Sequence, residues 1–281
     1  MKIGCHISVA KGLHKASRRA DELGAASFQV FTKNPRGLRP KKIDYKDAEK
    51  GVALCRERGI TLVAHTPYIT NLSTPKADLH EVTVRSIKED LHIAETYGAV
   101  GAVVHCGKHV GEGVEYGTRR MVETLNEILA EYEGSTRLLL ENTAGQGSEL
   151  GLAIEDLVKI REATDHPEKI GFCFDTCHAF AAGVWNEESF DDLVRTMEET
   201  GYLKQLVAIH FNDSKAPYNS RKDRHEKIGQ GEIGSSALSL FLRCDRFEGL
   251  PVILETPVDD ETEYAEEMNY LRELKQAKSS V

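Results

Sequence analysis

Short apolar runs alternate with amphipathic stretches from one end of the chain to the other. Residues 2–7, 27–31, 62–65, 102–105, 137–142, 170–175, 206–211 and 252–255 are runs of four to six residues, dominated by Val, Ile, Leu, Phe and Ala. Such runs are too short for helices and suit strands buried on both faces. Between them, Met121, Leu125, Ile128 and Tyr132 recur at spacings of three and four, as do Tyr264, Met268, Leu271 and Leu274; this is the period of a helix with one apolar face. Leu79, Ile87, Leu91 and Ala94 predict a longer helix ending near Gly98.

Eight strands, each followed by a helical segment, predict an α/β protein: a single (β/α)8 barrel domain over residues 1–281. An open doubly wound sheet is the alternative, but no Gly-rich phosphate loop follows the first strand. Two long irregular stretches remain, residues 33–42 and 212–233, and loops of that length are usually functional.

In such a barrel, chemistry is expected at the C-terminal ends of the strands. Those ends carry His65 in "LVAHTPY", His105 in "AVVHCGKH", Glu141 in "LLLENTAGQG", Asp175 in "CFDTCH", His210 in "VAIHFNDSK" and Glu255 in "VILETP". Taken singly, each has an ordinary structural explanation: a hydrogen-bonded packing histidine, a helix cap or a partner for Arg. Six in succession converging on one mouth would bury several charges, which is costly without a cation. Three imidazoles and three carboxylates exceed the four ligands of one tetrahedral zinc and suit a pair of metals sharing a carboxylate. The imidazoles favour zinc over magnesium and leave manganese or iron open. His178, one turn beyond Asp175, is expected to face away from this mouth. Asp223 and His225 in "KDRHEKIGQGEIG" could join it in a third metal site. His6 and His109 stand near the mouth as candidate donors to the ligands. His14, His80, His92 and His166 read as solvated surface residues, and Cys173 and Cys177 as small apolar neighbours.

Composition adjusts this picture in two places. Six cysteines lack any C-x-x-C pair, so neither a thiolate zinc site nor a disulfide framework is indicated, and a reduced cytoplasmic setting is expected. No apolar run approaches membrane-spanning length, and the first residues do not form a signal peptide. A net charge of −9 speaks, taken alone, against a nucleic-acid partner.

The segments "GCHIS", "FTKNPRG", "LLLENTAGQG", "FDTCHAFAAG", "HFNDSK", "DRHEKIGQGEIG" and "LETP" resemble, in the same order and over nearly the whole chain, the three-zinc endonuclease IV family of AP endonucleases. The resemblance implies a TIM barrel with a first zinc at His65, His105 and Glu141. A second would lie at Glu141, Asp175, His210 and Glu255, and a third at His178, Asp223 and His225, with Mn2+ or Fe2+ as partial substitutes. It implies cleavage 5′ to an abasic site in duplex DNA by metal-activated water, leaving a 3′-hydroxyl and a 5′-deoxyribose phosphate. Glu141 would be the shared ligand, and Glu255 could orient the water. Arg36 and Tyr68 resemble residues that enter the DNA at the lesion. The loop "KNPRGLRPKK" has five basic residues and no acidic one, and "KAPYNSRKDRHEK" is also basic. Flanking a cationic centre, these loops read as DNA grips, with Lys33, Asn34, Arg39, Arg221 and Arg224 as further contacts. A monomer without protein or membrane partners is expected. The competing classes are sugar isomerases or epimerases on the same barrel, which take one or two metals, and a DNA-binding module without catalysis. The third ligand set and the basic loops disfavour the first, and the full ligand set disfavours the second.

Overall fold

The computed structural model describes residues 1–39 and 41–277. Pro40 of the basic loop and the last four residues of the expected 1–281 domain lie outside the described residues. The strands are β1 Lys2–His6, β2 Ser27–Phe31, β3 Thr61–His65, β4 Gly101–His105, β5 Arg137–Glu141, β6 Ile170–Asp175, β7 Leu206–His210, β8 Asp213–Ser214, β9 His225–Glu226 and β10 Pro251–Leu254. All but β8 and β9 pair in parallel into one closed barrel, in the order β1-β10-β7-β6-β5-β4-β3-β2. The main helices are α1 Leu13–Glu22, α2 Tyr45–Arg58, α3 Ala77–Thr96, α4 Val114–Leu129, α5 Ile154–Glu162, α6 Thr176–Ala181, α7 Phe190–Glu199, α8 Tyr202–Gln205, α9 Gly234–Arg243 and α10 Glu263–Gln276.

The expected eight strands are present with bounds shifted by one residue at most, so each barrel strand delivers its last residue, or the next one, to the same end. Val63, Val103, Leu139, Cys173, Val207, Ala208 and Ile253 fill the lumen as a separate cluster. The larger core lies between strands and helices, which is why the strands read as continuous apolar runs. Gly4 is required where the barrel closes: a Cβ there would stand 1.7 Å from the Ser27 carbonyl oxygen.

Three expectations change. Tyr132 lies beyond α4 rather than on it. The stretch 212–233 is not wholly irregular: β8 and β9 pair antiparallel, Asp213 with Glu226 and Ser214 with His225. Buried Asp213 accepts from the backbone N–H groups of Ser214, Gly229, Gly231, Ile233 and Gly234, and so holds the glycine-rich turn in place. His80 is not a solvated residue: it is buried, 2.7 Å from Glu127 Oε2 and 3.2 Å from Thr124 Oγ1, joining α3 to α4.

Glu95 ties α3 to the start of β5. It accepts from Tyr132 Oη, Ser135 N, Ser135 Oγ and Thr136 N at 2.7–3.0 Å. Partial burial opposes ionisation, but the donors on Thr136 and Ser135 outweigh it and hold the carboxyl down at about 2. Its contribution is therefore complete above the usual value of 4.5 and is lost as pH falls through about 2. Glu95→Gln is expected to cost about 1–2 kcal/mol near neutral pH. Denaturant unfolding at several pH values should show the gap from wild type closing below the usual carboxyl value.

Candidate metal centre

Glu141, at the end of β5, is buried to 1% exposure and its two oxygens face different groups. Oε2 lies 3.1 Å from His105 Nε2 and 3.5 Å from His65 Nε2. Oε1 lies 3.0 Å from His210 Nδ1. Neighbouring strands set this up: His105 stands beside Glu141 in the β4–β5 register, and Asp175 beside His210 in β6–β7. Around His210 Nδ1 also stand Glu255 Oε2 at 3.1 Å and Asp175 Oδ2 at 3.9 Å. Glu255 is the first residue after β10.

Asp223 Oδ1 lies 3.3 Å from His178 Nε2 and 3.4 Å from His225 Nε2. Potential donor atoms within each of the sets His65–His105–Glu141, Glu141–Asp175–His210–Glu255 and His178–Asp223–His225 lie within 4.8 Å of one another. Overlapping combinations, His65–His210–Glu255 and Asp175–Cys177–His225, meet the same criterion. The nine residues thus form one contiguous centre. His178 does not face elsewhere: its Nδ1 is 3.2 Å from Glu141 Oε1. The cause is local. Asp175 caps α6 by accepting from His178 N at 2.7 Å, so a single turn carries the imidazole back over the mouth.

The charge pattern of the cluster is that of a candidate cation site. Among the described residues no Lys or Arg forms an ion pair with Glu141, Asp175, Asp223 or Glu255. Buried Glu141 Oε2 and His225 Nε2 have no hydrogen-bond partner. Burial resists ionisation of Glu141, but His210 and His105 hold its carboxyl well below the usual range. Burial likewise resists protonation of His178, while Asp175 and Asp223 draw its pKa well above normal. Imidazole and carboxylate lone pairs in this proportion suit zinc, with manganese and iron compatible. Cys177 adjoins one combination; burial pushes its thiol up to about 12, and its Sγ donates towards Arg224 O at 3.6 Å.

Sequence reasoning missed the amides beneath the candidate ligands. Asn142 donates to Asp175 O and accepts from Asp175 N, and its own carbonyl oxygen stands 3.0 Å from His178 Nδ1. Asn212 donates to Asp175 Oδ2 and accepts from Glu255 N. Gln29 contacts both His210 and Glu255. Of the two candidate donor histidines, His6 lies 3.3 Å from Gln29 Nε2, whereas His109 accepts from Gly113 N within its own loop.

A cleft of about 660 Å3 opens onto the centre, lined by ligands of all three sets and by Tyr68, Lys108, Thr143 and Gln146. Tyr68 is 48% exposed, with its ring 5.5 Å from His65 and 5.7 Å from His105. Its N–H donates to Pro35 O, which joins the Tyr68 loop to the one bearing exposed Asn34, Arg36 and Arg39. Exposed Arg221 lies over Gly145, with Nη1 only 2.7 Å from where a Cβ there would stand. Arg224 is exposed nearby. Lys33 departs from expectation. Its amine is buried between Ser86 Oγ at 2.8 Å, Asp90 Oδ1 at 3.2 Å and Glu89 Oε2 at 3.3 Å, so it anchors the loop to α3 and is not presented to a phosphate.

The barrel and the candidate cation sites at its mouth are those of a metal-dependent α/β-barrel enzyme, and the family described as xylose isomerase-like TIM barrel matches residues 17–274. The chain is 54% identical over 276 residues to a probable endonuclease 4 from Symbiobacterium thermophilum, covering 98% of this chain and 100% of that one. It is 40% identical over 272 residues to a probable endonuclease 4 from Akkermansia muciniphila, covering 96% and 98%. Endonuclease IV from Thermus thermophilus superposes with a TM-score of 0.86 at 31% identity, covering 98% of both chains. A D-tagatose 3-epimerase-like protein, at TM-score 0.70 and 21% identity, shares the fold. The chain belongs to the endonuclease IV family and is a DNA-cleaving hydrolase, an AP endonuclease.

Proposed function

We propose that this enzyme cuts the phosphodiester 5′ to an abasic site in duplex DNA, leaving a 3′-hydroxyl and a 5′-deoxyribose phosphate, with three zinc ions held by the nine residues above. The observation that carries the reading is the division of the Glu141 oxygens between two donor sets, with the His178–Asp223–His225 set directly beside them. Bound zinc supplies Lewis acidity towards phosphoryl oxygens and lowers the pKa of water. Glu141 fixes the spacing of the first two sets. Glu255, held at Oε1 by Gln29, keeps Oε2 towards the centre, where it can orient an attacking water and accept its proton. Tyr68 and Arg36, on linked loops at the cleft edge, fill the space of the missing base and exclude water. Asn34, Arg39, Arg221 and Arg224 hold flanking phosphates. We further assign the chain to the cytoplasm as a single-domain monomer without protein partners; no helix among the described residues is long and apolar enough to cross a membrane.

The test is incubation with a duplex carrying one synthetic abasic site, with and without a zinc chelator. Cleavage on the 5′ side that chelation abolishes and zinc restores is the expected result. An intact strand, or a cut on the 3′ side, would refute the reading.

The basic loop makes a separate prediction. Arg39 and Lys42 are exposed, but Lys41 is half-buried, with Nζ 5.6 Å from the Tyr97 ring centre and a pKa lowered by burial. Replacing Arg39, Lys41 and Lys42 together with Ala is therefore expected to remove two phosphate contacts rather than three. At ~0.9 per contact, the log–log dependence of affinity on salt should flatten by about 1.8. Binding titrations at several salt concentrations measure this, and an unchanged slope would mean that Arg39 and Lys42 do not touch phosphates.

A further inference from the structure

We propose that Gln29, a residue of β2 outside the three donor sets, is the positioning residue that fixes the tautomer of His210 and the orientation of Glu255. The inference rests on the metal-centre reading above. Gln29 is fully buried at the floor of the mouth, on a strand that supplies no ligand. Its Nε2 lies 2.6 Å from Glu255 Oε1 and 3.3 Å from His6 Nδ1, and its Oε1 lies 2.7 Å from His210 Nε2.

The donor and acceptor identities resolve one another. An ionised carboxylate only accepts, so the amide end facing Glu255 must be the NH2 group. The amide oxygen then faces His210, and His210 Nε2 must carry a proton to donate to it. That leaves His210 Nδ1 facing Glu141 Oε1, Glu255 Oε2 and Asp175 Oδ2, the oxygens that would share a cation with it. The second N–H of Gln29 points to His6 Nδ1, which accepts. Rotating the amide by half a turn would set two acceptors against each other at Glu255. One neutral side chain thus presents a ring nitrogen and a carboxylate oxygen to the second metal set, the task that partners of metal-bound histidines commonly perform. An apolar side chain of similar size would leave His210 free to protonate at either nitrogen and Glu255 free to turn.

Gln29→Leu and Gln29→Met test this through zinc binding, measured by competition with a chromogenic chelator, and through long-range 1H–15N NMR of the His210 ring. Zinc-loaded wild type should show the proton on His210 Nε2. Both variants should bind one zinc about ten- to a hundredfold more weakly, with the other equivalents unchanged. Wild-type affinity for every equivalent in a folded variant would overturn the inference. So would a proton on His210 Nδ1 in the wild type, a measurement that needs no variant to fold. A wild type that binds no zinc would instead overturn the metal-centre reading.

Discussion

Glu141→Gln is expected to reduce turnover at saturating abasic DNA by about a thousandfold or more, while Arg36→Ala changes turnover less than tenfold. The substitution keeps the shape of the side chain and removes its charge from a site that is 1% exposed. An amide has one acceptor oxygen, so it can serve either the His65 and His105 side or the His210 side, and its NH2 group must then face the other. A lone pair on an imidazole and an N–H pointing at the same place leave no room for a cation. Two donor sets are damaged by one change. If the cations contribute several kcal/mol of transition-state stabilisation, losing their joint geometry costs three or more factors of ten, at about 1.4 kcal/mol each. Arg36 stands outside the centre, exposed on its loop, and its loss should appear in affinity and in preference for the lesion. Single-turnover rates with metal analysis of both proteins decide the matter. Comparable losses of turnover would contradict this division of roles.

The candidate ligand positions are legible because barrel strands impose a simple rule: an apolar run ends, and the next polar residue faces the mouth. His65, His105, Glu141, Asp175 and His210 follow it, and Glu255 follows it by one residue. The direction of His178 was not legible, because a cap on the preceding Asp175 decides it, and a cap appears in sequence only as a carboxylate before a turn. Lys33 failed for a similar reason. In "FTKN" it reads as the first cation of a basic loop, and only the approach of Thr32 and Lys33, just after β2, to α3 shows Asp90 and Ser86 waiting for it. Gln29 carries no metal-ligand signature, but an amide among the apolar residues of "SFQVF" is itself a buried polar group that needs partners.

His178→Ala should retain two zinc ions of three, keep its barrel, and cleave abasic DNA more slowly. In the third donor set His178 is the one buried member and is fixed by helix α6, whereas Asp223 and His225 come from the long loop, with side chains 42% and 19% exposed. Its tautomer is set as well: Nδ1, 3.0 Å from Asn142 O, donates there and leaves Nε2 towards Asp223. Truncation leaves two donors on a loop, too few to hold a cation against water when structural zinc takes four ligands. The strand-end sets keep all their own residues, so two equivalents should remain. Some stability will be lost, since the Asn142 carbonyl forfeits its buried partner at a cost of about 1–3 kcal/mol. Zinc analysis after exhaustive dialysis, with far-UV circular dichroism as the check on folding, gives the answer. Three zincs retained would remove His178 from the ligand set. Loss of all three from a folded protein would show that the 3.2 Å approach of His178 to Glu141 makes the centre one cooperative unit, in which the third set has no separate existence.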